Sequence, residues 1–281
     1  MTANVRMITV NESDSATLTA SPVLVATLPV ENLQDQTRAR VARTVGLSEP
    51  QYIRGDWPVP KALSAFALVR HNLTDAAVLQ LKLWDGHNQT GTLVYDSGDI
   101  ALGAGIPGWG EFSWGMITWG ASIFDDWPVA FVTLWFDLVD AMSFEIQMTD
   151  VANTDTYMEA SRLFLGKYFE PLKNFNYGVD CHWVEDTEQT VTDGGTIRSD
   201  PVTPSRVWQF DLDNLSVGER ASLMQFFRKT GKRNDLFVSC FPDVGGERER
   251  DYAGQVKVTE MPEMPHNRFG NWRTRLVLKE T

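Results

Sequence analysis

The chain has 281 residues, 43% apolar and 22% charged, with a net charge of −12. That apolar share excludes a disordered chain, and the length suits one large or two ordinary domains. Residues 1–168 hold 19 acidic and 10 basic side chains against 18 and 15 in the remainder, and an acidic surface repels the phosphates of nucleic acid and anionic lipid.

Residues 1–10 read as an edge strand, 11–21 as a polar, turn-like segment and 22–28 as a strand. A loop and an extended segment follow over 28–44, where Arg38, Arg40 and Arg43 interleave with Ala39, Val41 and Ala42. Residues 51–54 form a short strand. Residues 62–70 and 76–84 make a pair of strands about the turn residues Asn72 and Asp75. In the second strand Val78, Gln80 and Lys82 alternate with Leu79, Leu81 and Leu83, the mark of one buried face. Residues 92–95 add a strand. Between 101 and 128 glycines recur and Trp109, Trp114, Trp119 and Trp127 crowd together, which reads as a long structured excursion. Strands over 130–136, 143–148 and 158–165 close an antiparallel β-sandwich spanning 1–171.

Past Pro171 the pattern predicts a second, mostly β domain over 172–281, with strands at 177–184, 206–212, 236–240, 255–259 and 272–278. Residues 185–200 form a polar loop between the first two. One helix is expected over 217–230. Ser216 and Glu219 form a capping box, Ala221, Leu223, Met224 and Phe227 recur on one face, and Arg228, Lys229 and Gly231 end it.

No chemistry-bearing constellation emerges. There is no nucleophile elbow and no phosphate-cradling loop, and the glycines at 103, 105, 108 and 110 lack a strand–helix context. His71 reads as a turn histidine bonding locally; His87 follows the turn pair Asp85-Gly86, and His266 has no ligand pattern. Asp125-Asp126 and Glu185-Asp186 are adjacent carboxylates, whereas glycoside hydrolysis needs two acids placed across a sugar. Cys181 and Cys240 lack metal spacing and read as free thiols of a reducing compartment. No basic-then-apolar leader opens the sequence, and no apolar stretch is long enough to span a membrane. No metal, cofactor or catalytic residue is expected. The tryptophans are the sharpest candidates, either capping the sandwich, buried between subunits or stacking on a glycan. Arg38, Arg40 and Arg43 are candidates for charge pairs between subunits, against an ordinary strand face.

Three motifs carry a family resemblance. Asn32, Leu33 and Arg38 fit an N-L-x-(D/N)-x-x-R segment. Arg70 through Leu73 fit an R-H-N-L turn, and Arg162, Gly166, Phe169 and Pro171 fit a closing R-x-x-x-G-x-x-F-x-P strand. Over about 20–171 the chain resembles the galactose-binding-like jelly-roll module in structural proteins of tailed bacteriophages. Residues 205–239 resemble the β domain with one packed helix of phage tail and baseplate proteins, of the distal-tail kind, although the order of the two domains is reversed here. The resemblance implies a non-enzymatic virion protein of the tail tip or baseplate. It would assemble as a homo-oligomeric ring, a hexamer or trimer, and link the tail tube to receptor-binding components. The alternative is a carbohydrate-binding module that recognises host surface glycan. No sugar-contacting or calcium-ligating residue is matched by motif.

Overall fold

The computed structural model describes residues 4–102, 131–191, 193–199, 202–242 and 246–281. Among them the first segment contributes β1 (Arg6–Ile8), β2 (Thr17–Ser21), β3 (Ala42–Arg43), β4 (Gln51–His71), β5 (Val78–Trp84), β6 (Leu93–Asp96), β7 (Ile100–Ala101), β8 (Phe131–Thr149), β9 (Glu159–Gly166) and β10 (Tyr168–Phe169). The second contributes β11 (Asp180–Val184), β12 (Gln189–Val191), β13 (Ile197–Ser199), β14 (Ser205–Leu215), α1 (Val217–Thr230), β15 (Leu236–Ser239), α2 (Gly246–Asp251), β16 (Ala253–Val258), β17 (His266–Arg268) and β18 (Asn271–Glu280).

Two long strands turn the first sheet into a jelly-roll sandwich. β4 and β8 pair along their length, but their register shifts between Asp56 and Lys61 and again between Leu63 and Ala65. Pro58 and Pro60 sit at the first shift, where a missing N–H interrupts the ladder. Beyond it the strands enter a second layer. One layer holds β2, the first part of β4, the last part of β8, β5, β6 and β7. The other holds β3, β9, the last part of β4 and the first part of β8. Trp57, Leu63, Phe66, Leu68, Phe144 and Ile146 fill the core between them.

The expected pairing of 62–70 with 76–84 does not occur. β8 lies between β4 and β5, so the turn after His71 carries the chain from one layer to the other. The strand expected over 22–28 is replaced by β2, whose alternation of Thr17, Thr19 and Ser21 with buried Leu18 lies within the segment read as a turn. The 28–44 segment holds a 3-10 turn, Val30–Gln34, and only the short β3.

The second sheet runs β10-β1-β15-β16-β18-β14-β11, with β17 on β18. β1 is therefore internal rather than an edge. Val5 and Met7 are buried in this core beside Trp208, Phe210 and Val238, so β1 and β10, both within 1–171, are strands of the second sheet. α1 spans the expected residues, and its capping box is complete. The helix buries Leu223, Phe226, Phe227 and Thr230 rather than Met224, which is 47% exposed. The i, i+3, i+4, i+7 stripe starting at Leu223 is the one turned to the sheet.

The two sheets share a buried face. Ala65, Ala67, Val69 and Phe164 pack on Ile8, Phe237 and Ala253. The second layer of the jelly roll is thus covered on both sides, which is why 65–69 is a continuous apolar run. Gly166 lies at this junction. A Cβ there would sit 2.2 Å from the Val10 carbonyl oxygen. Gly166→Ala is expected to destabilise the chain by about 1–3 kcal/mol, read as a lower urea midpoint. An unchanged midpoint would show that the Val10 segment moves freely.

Candidate functional site

The open layer of the jelly roll presents the best-formed surface. Its inward positions, Leu18, Ile53, Phe144, Ile146, Leu79 and Leu81, are buried, so period two sends the intervening side chains outward. Cross-strand register aligns them in two rows. Thr19, Arg54, Glu145 and Lys82 form one row; Ser21, Tyr52, Gln147 and Gln80 form the other. Arg54 Nε donates to Glu145 at 2.6 Å, and its guanidinium lies 5.2 Å from the Tyr52 ring centroid. Gln80 Nε2 donates to Asp96 at 2.8 Å. At one end the 85–92 loop closes over the layer, with the Asn88 amide donating to Asp56 and Ser143 held by Gly86 and Gln89.

The face is largely half-buried and nearly charge-balanced. It has amide, hydroxyl and guanidinium groups at strand spacing, about 4.8 Å, beside one aromatic ring. The sequence places Gln80 and Lys82 on the polar face of a strand but marks none of Tyr52, Arg54, Gln80, Lys82, Glu145 or Gln147 as a site residue. Alternation in Tyr52-Ile53-Arg54 and Glu145-Ile146-Gln147-Met148 carried the signal, but only register brings the three strands together.

Other candidates lie elsewhere. Trp109, Trp114, Trp119 and Trp127 fall outside the described residues. Arg43 pairs with Glu159 at 2.6 Å and packs on Tyr157, and Arg40 pairs with Asp35 at 3.3 Å, both within the chain. The bond to Glu159 raises the Arg43 pKa. Arg38 is exposed, and its carbonyl accepts a 3.4 Å bond from Ser161.

His71 accepts a 3.2 Å bond from the Leu73 amide at Nδ1, the local bond expected of a turn histidine. This leaves Nε2 buried and without a partner among the described residues. Burial pushes its pKa from 6.5 down to about 4, against the pull of Asp150. His87 lies 3.3 Å from Asp56, and His266 stacks on Trp272. Cys240 is buried and Cys181 half-buried; burial raises both thiols, which disfavours thiolate chemistry. Among the described residues no group of three or more His, Cys, Asp or Glu side chains could hold a metal, and no helix is long and apolar enough to cross a membrane.

No protein-family model and no curated protein matches the sequence. Among solved structures the chain is similar to a chitosan-binding module of a chitosanase/glucanase from Paenibacillus sp. IK-5, with TM-score 0.39 and 13% identity, covering 56% of this chain and 99% of that one. It is also similar to a Streptococcus pneumoniae fucose-binding module, with TM-score 0.37 and 13% identity, covering 56% and 94%. A third is the family 32 carbohydrate-binding module of C. perfringens NanJ, solved with galactose, with TM-score 0.37 and 15% identity, covering 59% and 99%. None of these likenesses identifies a ligand for this chain.

Proposed function

We propose that this is a non-enzymatic recognition protein whose jelly-roll domain binds a neutral glycan across the outer face of its open layer. The supporting observation is the pair of cross-strand rows, in which Tyr52 adjoins Gln147 and the Arg54–Glu145 pair, with Gln80 one strand beyond Gln147. A sugar ring has an apolar C–H face that stacks on an aromatic ring and a rim of hydroxyls that exchange bonds with amides. Charge balance on the face favours a neutral sugar over a uronic acid or a sulfated one.

Isothermal titration against a panel of neutral oligosaccharides tests this. Tyr52→Ala and Gln147→Ala are each expected to weaken binding about tenfold, or 1.4 kcal/mol, while far-UV circular dichroism stays unchanged. No heat across the panel, or full binding by both variants, would overturn it.

A second reading makes the chain a structural subunit of a phage tail tip or baseplate, ringed with copies of itself between tail tube and receptor-binding components. Its support is the three-motif resemblance together with a hairpin, β12–β13, standing free of both sheets. Electron microscopy of the assembled chain tests it, with rings supporting the structural role and isolated single chains at high concentration opposing it.

A further inference from the structure

β12 and β13 form a separate two-stranded sheet within the connection between the paired strands β11 and β14. All six residues of the two strands are exposed. Val191 and Ile197 pair directly across it, at 68% and 61% exposure, and so share one apolar face. Gly195, at φ 79°, permits the turn at the tip. Isolated two-stranded hairpins are marginal in water, and an exposed aliphatic pair adds to the cost. Lys279 anchors the base by a 2.6 Å bond to Asp186, leaving Glu185, Glu188 and Asp193 exposed along the arm.

The arm carries one exposed cation, Arg198 on β13, against these acids, and a denser cluster of opposite charge lies elsewhere on the same molecule. Arg228 and Lys229 in the last turn of α1, and Lys232 and Arg233 just after it, are all exposed. Among the described residues no ion pair links these four cations to any carboxylate. Exposed Arg38 belongs to the same region, since Gln36 donates to Asn234 at 3.5 Å. This cluster leads into β15, whereas the arm leaves from the edge strand β11, four strands away in the sheet. At about 4.8 Å per strand the lateral separation is roughly 19 Å.

We infer that the hairpin arm docks on the basic cluster after α1 of a second copy of this chain, Val191 and Ile197 packing beneath the charges. Two different patches meet, so the contact closes either reciprocally in a two-fold dimer or head to tail in a ring or filament, and the sedimentation coefficient tells these apart. It is independent of glycan binding on the jelly-roll face and supplies a contact for the structural reading.

Sedimentation velocity at about 0.1 M and about 1 M salt tests the contact, because exposed charge pairs weaken on screening. Wild-type chain is expected to assemble at low salt and dissociate at high salt. The double variants E188K/D193K and K232E/R233E are each expected to raise the concentration needed for assembly about tenfold. Their combination restores the charge match and is expected to return it to near wild type. All these positions are exposed, so folding is little affected. Single chains under every condition would overturn both the contact and the ring. Assembly that neither double variant alters, or that the combination fails to rescue, would overturn the arm contact alone.

Discussion

Replacing Arg162 by methionine is expected to cost the fold about 3–5 kcal/mol, the range for stripping one partner from a buried ion pair. Arg162 is 0% exposed on β9, at the junction of the two sheets. Its Nε and Nη2 donate to both oxygens of Asp235 at 2.8 and 2.9 Å, and Nη1 and Nη2 donate to both oxygens of Asp14 at 2.5 and 2.8 Å. The Asp235 side chain is 1% exposed and, among the described residues, its one other side-chain partner is Gln255, which donates at 2.7 Å and in turn accepts from Arg70 at 3.0 Å. Without the guanidinium, Asp235 would remain as an uncompensated charge in a medium that solvates it poorly. The carboxylates hold the Arg162 proton more firmly than water would, despite burial. Urea unfolding measures the loss. Adding Asp235→Asn to the methionine variant is expected to recover a substantial part, since it removes the stranded charge. Arg162→Lys keeps a cation but not the planar fork, so it is expected to fall between wild type and methionine. A loss under about 1 kcal/mol for the methionine variant would mean that the junction does not depend on this network.

Acid is expected to destabilise the chain well before its carboxylates titrate, through His71. The folded ring holds its proton only near pH 4, against 6.5 when exposed, because burial disfavours the charged form. Above pH 6.5 the ring is neutral in both states and its contribution is complete. As pH falls from 6.5 toward 4 the unfolded chain takes up a proton that the folded chain refuses, and stability declines by about 3 kcal/mol in all. Below 4 both forms are charged and the decline from this residue stops. Chemical denaturation at a series of pH values between 7 and 4.5 measures the slope. His71→Gln leaves an acceptor for the Leu73 amide without a titrating group, and is expected to flatten the limb between pH 6.5 and 5. An equal slope in the variant would assign the acid sensitivity elsewhere.

Particular residues show how far the sequence could be read. The alternation Leu79, Leu81, Leu83 against Gln80 and Lys82 identified a half-buried strand, because a strand's two faces separate by period two wherever it sits. Ser216 and Glu219 located the start of α1 because both capping-box bonds close within one turn. The closing motif also has local sense once its surroundings are known. Arg162 meets Asp14 and Asp235, Gly166 makes room for the Val10 carbonyl, Phe169 packs on the second core, and the Pro171 carbonyl accepts from Asn4. Met224 was misplaced because two overlapping apolar stripes fit the helix equally well, and only the sheet chose between them.

The half-buried strand β5, the capping of α1 and the apolar run 65–69 were determined by the sequence alone, since each rests on neighbours within a few residues. Only the tertiary structure decided that β4 and β5 lie apart with β8 between them, that β1 joins the second sheet, and that Tyr52, Gln147 and Gln80 share one face. Those facts depend on pairing between strands as far apart in sequence as those of Arg6 and Ser239. Loop closure over such distances costs nearly the same for many alternative partners, so the choice falls to packing and buried hydrogen bonding across the whole molecule.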